Sequence, residues 1–171
     1  MNETVPQLSA ERPAGPVASL PASSPPRREI QELWLSLSRR AWRSVALVPA
    51  DRHGAAAAAA AAGALAEVGR RLRLVQVSAL VAGRLDYDEA AQLVRRLAAL
   101  RSADARPGPG VADQVVVAIP SLATDPLGAA VAREADAVVI CLELGLTSLA
   151  GARQTIELIG QDRIAGCLLL T

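Results

Sequence analysis

Lysine is absent from this 171-residue chain: all 18 of its basic side chains are arginine. A glycine-rich loop of the G-x-x-x-x-G-K-[ST] kind, which sets a lysine ammonium on nucleotide phosphates, therefore cannot be complete here. Phenylalanine is absent too, and aromatic residues make up 2% of the chain. With 51% hydrophobic residues, the core must be built from Leu, Val, Ile and Ala, which suits closely packed α/β layers better than a sandwich of two sheets. The single histidine, His53, excludes a multi-histidine metal centre. The two cysteines, Cys141 and Cys167, show no C-x-x-C spacing and each lies in an apolar run, so both are expected to be reduced thiols buried in strands. No apolar run approaches the roughly 20 residues that span a bilayer, and the N-terminus lacks the basic-then-apolar pattern of a secretory signal. A net charge of +1 gives no electrostatic case for nucleic acid or an anionic membrane as a default partner. The lysine-free, Ala/Arg-rich usage is that of a high-GC bacterial coding bias, so arginine abundance alone marks no binding surface. The expected location is the bacterial cytoplasm, without direct membrane insertion.

Two regions are expected. Residues 1–28 form a Pro/Ala/Ser-rich leader with few large apolar groups, too little to repay the entropy of ordering it. Residues 29–171 carry the folded domain. Within it, Ile30, Leu33, Trp34 and Leu37 recur at helical spacing over Glu29–Arg40. Strands are then predicted at Val45–Val48, Leu72–Val77, Gln114–Ile119, Ala137–Leu142 and Ile164–Leu170. Helices are predicted at Ala55–Val68, Tyr87–Leu100, Asp125–Glu134 and Thr147–Ile159. Gly69 is placed to stop the first of these, and Thr147 or Ser148 to cap the last. Helices alternating with continuous apolar strands predict a three-layer α/β domain: a mainly parallel sheet of about five strands covered by helices on both faces.

The order of motifs resembles the cytoplasmic kinase domain of bacterial tyrosine kinases (BY-kinases) that partner exopolysaccharide chain-length regulators, relatives of the MinD/ParA class of P-loop ATPases. The resemblance spans roughly Glu29 to Thr171 and implies a P-loop NTPase-like fold. It rests on Ala64–Val75, similar to the helix, "G-K/R-R" turn and strand that follow that family's phosphate loop. It rests also on Ala112–Pro120, similar to "yD-y-V-I-I-D-T-P-P", and on Ala135–Ile140 with Gly145 and Thr147, similar to "aDgvllVvr-g-T". The ending Ile164–Leu170 resembles "v-l-G-v-v-l-N".

The resemblance also locates what is missing. The degenerate phosphate loop is Val48–Ala55, with Asp51, Arg52 and His53 in its turn. A loop glycine falls on His53, the lysine on Gly54 and the magnesium-binding Ser/Thr on Ala55. The paired aspartates of the second acidic motif fall on Gln76 and Ser78. The Walker B aspartate falls on Ala118, with the nearby proline kept as Pro120. The E-x-x-R-x-x-R self-association motif falls on Glu32, Leu35 and Ser38, and no tyrosine-rich tail is present. Phosphoryl transfer depends on positioned charge, and losing one donor aimed at developing charge typically costs ~10²–10³-fold in rate. Here the lysine, the hydroxyl and the acidic groups are lost together, so no catalytic residue, cofactor or metal is expected.

Two local features admit two readings each. Asp51, Arg52 and His53 lie where open α/β sheets bind ligands and could bind an anion at a helix start, or form an ordinary polar loop with Asp51 as a cap. Trp34, with Glu32, Arg39 and Arg40, could face a partner, or Trp34 could pack onto its own domain. The resulting expectation is a non-catalytic pseudo-kinase or pseudo-ATPase. It would bind a membrane chain-length regulator or an active kinase copy, with self-association left open, and so act in exopolysaccharide synthesis or export. The alternative is a MinD/ParA-like scaffold in division, positioning or secretion; a third reading is a true kinase with displaced residues.

Overall fold

Runs of Val, Ile and Leu become the strands of the computed structural model, which describes residues 28–72, 77–102 and 114–170. In chain order the elements are α1 (Arg28–Leu37), β1 (Ser44–Pro49), α2 (Ala55–Arg71), β2 (Val77–Val81), α3 (Tyr87–Ser102), β3 (Gln114–Ala118), α4 (Gly128–Glu134), β4 (Ala137–Glu143), α5 (Leu149–Ile159), a 3-10 turn (Gln161–Arg163) and β5 (Ile164–Leu170). The expected leader lies outside the described residues except Arg28, which begins α1.

All neighbouring strands are parallel, in the order β2-β3-β1-β4-β5. β1 is central and buried at all its positions. Its side chains alternate as a strand requires: Val45 and Leu47 join a cluster with α1 and α2, whereas Ala46 and Val48 join one with α3, α4 and α5. Val116 and Ala118 of β3 face the first cluster, and Val117 faces the second. Two helical layers thus sandwich one sheet, and the expected three-layer α/β architecture is present.

Several boundaries differ from the expectation for identifiable reasons. Gly69 does not end α2 but lies inside it, buried. A Cβ there would stand 2.5 Å from Val77 Cγ2 and 2.6 Å from Trp34 Cη2, so this glycine permits close packing and the helix runs on through Arg70 and Arg71. Both arginines pair with Glu67, at 2.8 Å each. Among the described residues the second strand begins at Val77, where sequence alone put its end. Residues 73–76 of the expected strand are outside the described residues. α1 ends at Leu37, leaving Arg39 and Arg40 exposed in the following turn. α4 begins at Gly128 rather than Asp125 because Asp125 is buried and its Oδ2 accepts a 2.6 Å bond from Leu85 N. α5 begins at Leu149, capped by Ser148, whose Oγ accepts from Gly151 N at 3.1 Å.

The cysteines were expected to share one environment and do not. Cys141 is buried in β4, but Cys167 is exposed on β5, because β5 is an edge strand whose second face is only partly covered.

Candidate functional site at the carboxyl edge of the sheet

Connections leave β1 and its neighbour β4 toward opposite faces of the sheet: β1 feeds α2, in the α1/α2 layer, and β4 feeds α5, on the other side. The carboxyl ends of two such strands are where open α/β sheets form a ligand crevice. This places Asp51, Arg52, His53, Gly54 and Ala55 at that edge.

The local geometry is a closed turn. The extended path of β1 continues to Ala50, whose N–H donates to Cys141 O at 2.9 Å. Val48 and Pro49, the first residues of the expected loop, therefore belong to the strand. Only Asp51–Gly54 remain to join strand to helix, closed by Gly54 N–H donating to Asp51 O at 3.3 Å. A loop that cradles phosphate turns successive backbone N–H groups onto the anion. Here Arg52 N donates instead to Asp51 Oδ1 at 2.7 Å.

The other Asp51 oxygen reaches across the crevice. Oδ2 accepts from Ser148 N at 3.4 Å and from Ser148 Oγ at 3.2 Å. Thr155 Oγ1 of α5 donates to Ala50 O at 3.3 Å. Gly151 allows this approach, since a Cβ there would stand 3.1 Å from Ala50 O and 3.3 Å from Asp51 Oδ2. The start of α5 is thus seated on the β1–α2 turn. Hydrogen bonds from Arg52 N and then Ser148 N hold the Asp51 carboxyl below its ordinary pKa. Asp51 is not the cap of α2, whose N-cap is Gly54 with no side-chain cap bond.

A second carboxylate faces the same turn. Glu143 ends β4, and its Oε2 lies 4.0 Å from the position a Cβ on Gly54 would take. The β4–α5 loop holds this residue through Glu143 N donating to Thr147 Oγ1 at 2.8 Å and Thr147 N donating to Glu143 O at 2.9 Å, with Gly145 at a φ of 80°. Negative side chains beside a helix start are favourable, and two of them already occupy the surroundings of α2's first turn. Ser148 was foreseen as a candidate cap of α5, but its bond to Asp51 and the roles of Glu143 and Gly151 and of Thr147 in holding the loop were not foreseen. The one available signal was polar residues directly after an apolar strand.

The remaining expected positions are dispersed. Ala118, at the end of β3, is 2% exposed and faces the α1/α2 cluster. Ser78 lies near the start of β2, paired with Val115, its hydroxyl buried without a partner. It is therefore not at the carboxyl edge, which on this strand is formed by Val81 and Ala82. Gln76 is outside the described residues. Trp34 is 2% exposed, packed edge-to-face on Trp42 at 5.6 Å. The structure thus places it in its own core rather than on a partner surface. Glu32 is exposed and pairs with Arg28 at 2.7 Å. A separate cleft of about 300 Å³ lies beside β2, lined by Leu80, Leu85, Glu89, Gln92, Leu93 and Arg96 among others. Among the described residues no cluster of His, Cys, Asp and Glu could hold a metal ion, and no helix is long and apolar enough to cross a membrane.

No protein-family model matches the chain, and no curated protein sequence matches it. Among solved structures, the chain is similar in fold to the chimerical protein CapA2B2, with a TM-score of 0.54 at 11% identity, covering 81% of this chain and 80% of that one. The likeness is one of fold, an all-parallel three-layer α/β arrangement consistent with the P-loop NTPase-like class.

Proposed function

We propose that this chain is a non-catalytic, P-loop-like α/β domain of the BY-kinase kind that acts by binding a protein partner in exopolysaccharide synthesis or export. The observation that carries the reading is the Asp51 carboxylate, hydrogen-bonded to the turn's own Arg52 N–H and to Ser148 across the crevice. A triphosphate arriving at α2 would meet Asp51 and Glu143, and the chain has no lysine to offset them. The motif order described above and the likeness in fold to CapA2B2 support the choice of family. On this reading the protein works in the cytoplasm and reaches the inner membrane through a chain-length regulator or an active kinase copy.

Titration calorimetry of the purified protein with ATP and magnesium tests the non-catalytic part, and no saturable heat is expected. Micromolar, magnesium-dependent binding would refute it. Recovery of a purified chain-length regulator on the immobilised protein tests the partner class, and failure to retain it removes that assignment.

A further inference from the structure

The strand at one end of the sheet has the composition of an interior strand. β5, Ile164-Ala165-Gly166-Cys167-Leu168-Leu169-Leu170, carries no charge and no proline, yet among the described residues it pairs only with β4. Folded proteins usually blunt such an edge with lysine, proline, a bulge or a covering element, because its free N–H and C=O groups template another strand. The one irregularity here lies where Val138 and Val139 meet Ile164 and Gly166, so the stretch from Gly166 to Leu170 remains regular. One face is covered: Leu168 is 3% exposed, in the cluster with α1 and α2. On the other face Cys167 is exposed and Leu169 is 53% exposed.

We propose that β5 is a self-association edge, where two copies of this chain pair their β5 strands antiparallel about a two-fold axis at Cys167. A second copy fits for two reasons. An isologous contact places the same patch on both sides, and an uncharged strand meets its own copy without like-charge repulsion. Cys167 is also the midpoint of Ile164–Leu170, and a pair centred there sets Gly166 of each copy opposite Leu168 of the other, all within the regular stretch. The two five-stranded sheets then continue as one. A contact made by a single strand belongs with small interfaces, below ~1,200 Å², so the dimer is a weak, concentration-dependent one.

The midpoint register provides a direct readout. Residues directly opposite in an antiparallel pair have Cα atoms ~4.5–5.5 Å apart, within the ~4.4–6.8 Å that a disulfide bridges. Diamide takes two electrons and two protons from a thiol pair, forming the S–S bond as it is reduced to the hydrazine. It is expected to lock the dimer through Cys167. Cys141 is an internal control: burial pushes its thiol up to about 12, and its side chain faces the opposite cluster.

Sedimentation of the full chain over a concentration series is expected to show monomer–dimer exchange. Cys141→Ser leaves diamide cross-linking intact, and Cys167→Ser abolishes it. Cys167→Lys and Cys167→Glu, both at an exposed position, each weaken self-association roughly fivefold or more by setting like charges opposite one another. Mixing the two variants restores it. A chain that stays monomeric at every concentration overturns the proposal. So does a dimer that is indifferent to both charged variants and not cross-linked through Cys167, which would place the contact elsewhere, as at the β2 edge.

Discussion

Gly63 and Gly69 lie in the same helix and answer to opposite forces. Alanine favours a helix interior over glycine by roughly 0.8–1 kcal/mol. At Gly63 nothing lies within 4 Å of an added Cβ, so Gly63→Ala is expected to stabilise the protein by roughly 0.5–1 kcal/mol. At Gly69 the same methyl meets Val77 and Trp34 at 2.5 Å and 2.6 Å. Overpacking a well-filled core costs typically 1–3 kcal/mol, which outweighs the propensity gain, so Gly69→Ala is expected to destabilise. Urea unfolding checks both: the midpoint rises for Gly63→Ala and falls for Gly69→Ala, with unchanged slope. Asp51 is the other informative residue. Its Asp51→Ala variant is expected to free the amides of Arg52 and Ser148, read as faster hydrogen exchange at those two positions with the interior of β1 unchanged. Because the folded pKa is lowered from 3.8, the same loosening appears in the unaltered protein as pH falls through that depressed value.

Among elements, the opposite end of the sheet is tied by one side chain. Asp136, just before β4, accepts from Arg43 N at 2.8 Å, Ser44 N at 2.9 Å and Ser44 Oγ at 3.1 Å, while its Oδ1 takes Arg101 Nε of α3 at 3.3 Å. Partial burial alone would raise this carboxyl, but the amides of Arg43 and Ser44 outweigh it and the pKa is lowered from 3.8. Asp136→Ala leaves those amides without a charged acceptor and is expected to cost roughly 2–4 kcal/mol. A depressed folded pKa means the stabilisation is complete above the unfolded value and disappears as pH falls through the folded one. The stability gap between wild type and Asp136→Ala, measured by urea unfolding, should therefore be full at neutral pH and shrink below pH 3.8. This scale also shows what was legible in advance. β1, β3 and β4 were visible because continuous apolar runs covered on both faces need no further context, and β5 because its run is equally apolar although one face is only partly covered. The end of α2 was misplaced because Gly69, which local pattern marks as a helix stop, is packed inside the helix against Trp34 and Val77, a tertiary effect that local pattern does not carry. At the candidate site, position was readable from Val48–Ala55. The closure was not, since Asp51 meets Ser148 across 97 positions of chain.

At the scale of the whole molecule, the question is whether the crevice is a phosphate site lacking a few side chains or one whose path has changed. The two predict different responses to repair. If only side chains were missing, Gly54→Lys with Ala55→Thr would return the ammonium and the hydroxyl to the positions the motif order assigns. Gly54 has a φ of −84°, so a side chain there meets no backbone strain, although its Cβ would come within 3.1 Å of Pro49 Cβ. The geometry favours the second answer. β1 runs on through Pro49, the turn is shortened to Asp51–Gly54, and α5 is docked on it through Ser148 and Thr155. A lysine added there finds Asp51 and Glu143 as ion-pair partners in place of a triphosphate. A ligand at a hundred times its dissociation constant stabilises a folded protein by about 2.7 kcal/mol, an amount thermal unfolding detects readily. With millimolar ATP and magnesium, neither the natural chain nor the repaired variant is expected to melt higher. A rise in the repaired variant alone would mean that the path is intact and only the side chains were lost. A rise in both would mean that the crevice opens to nucleotide in solution.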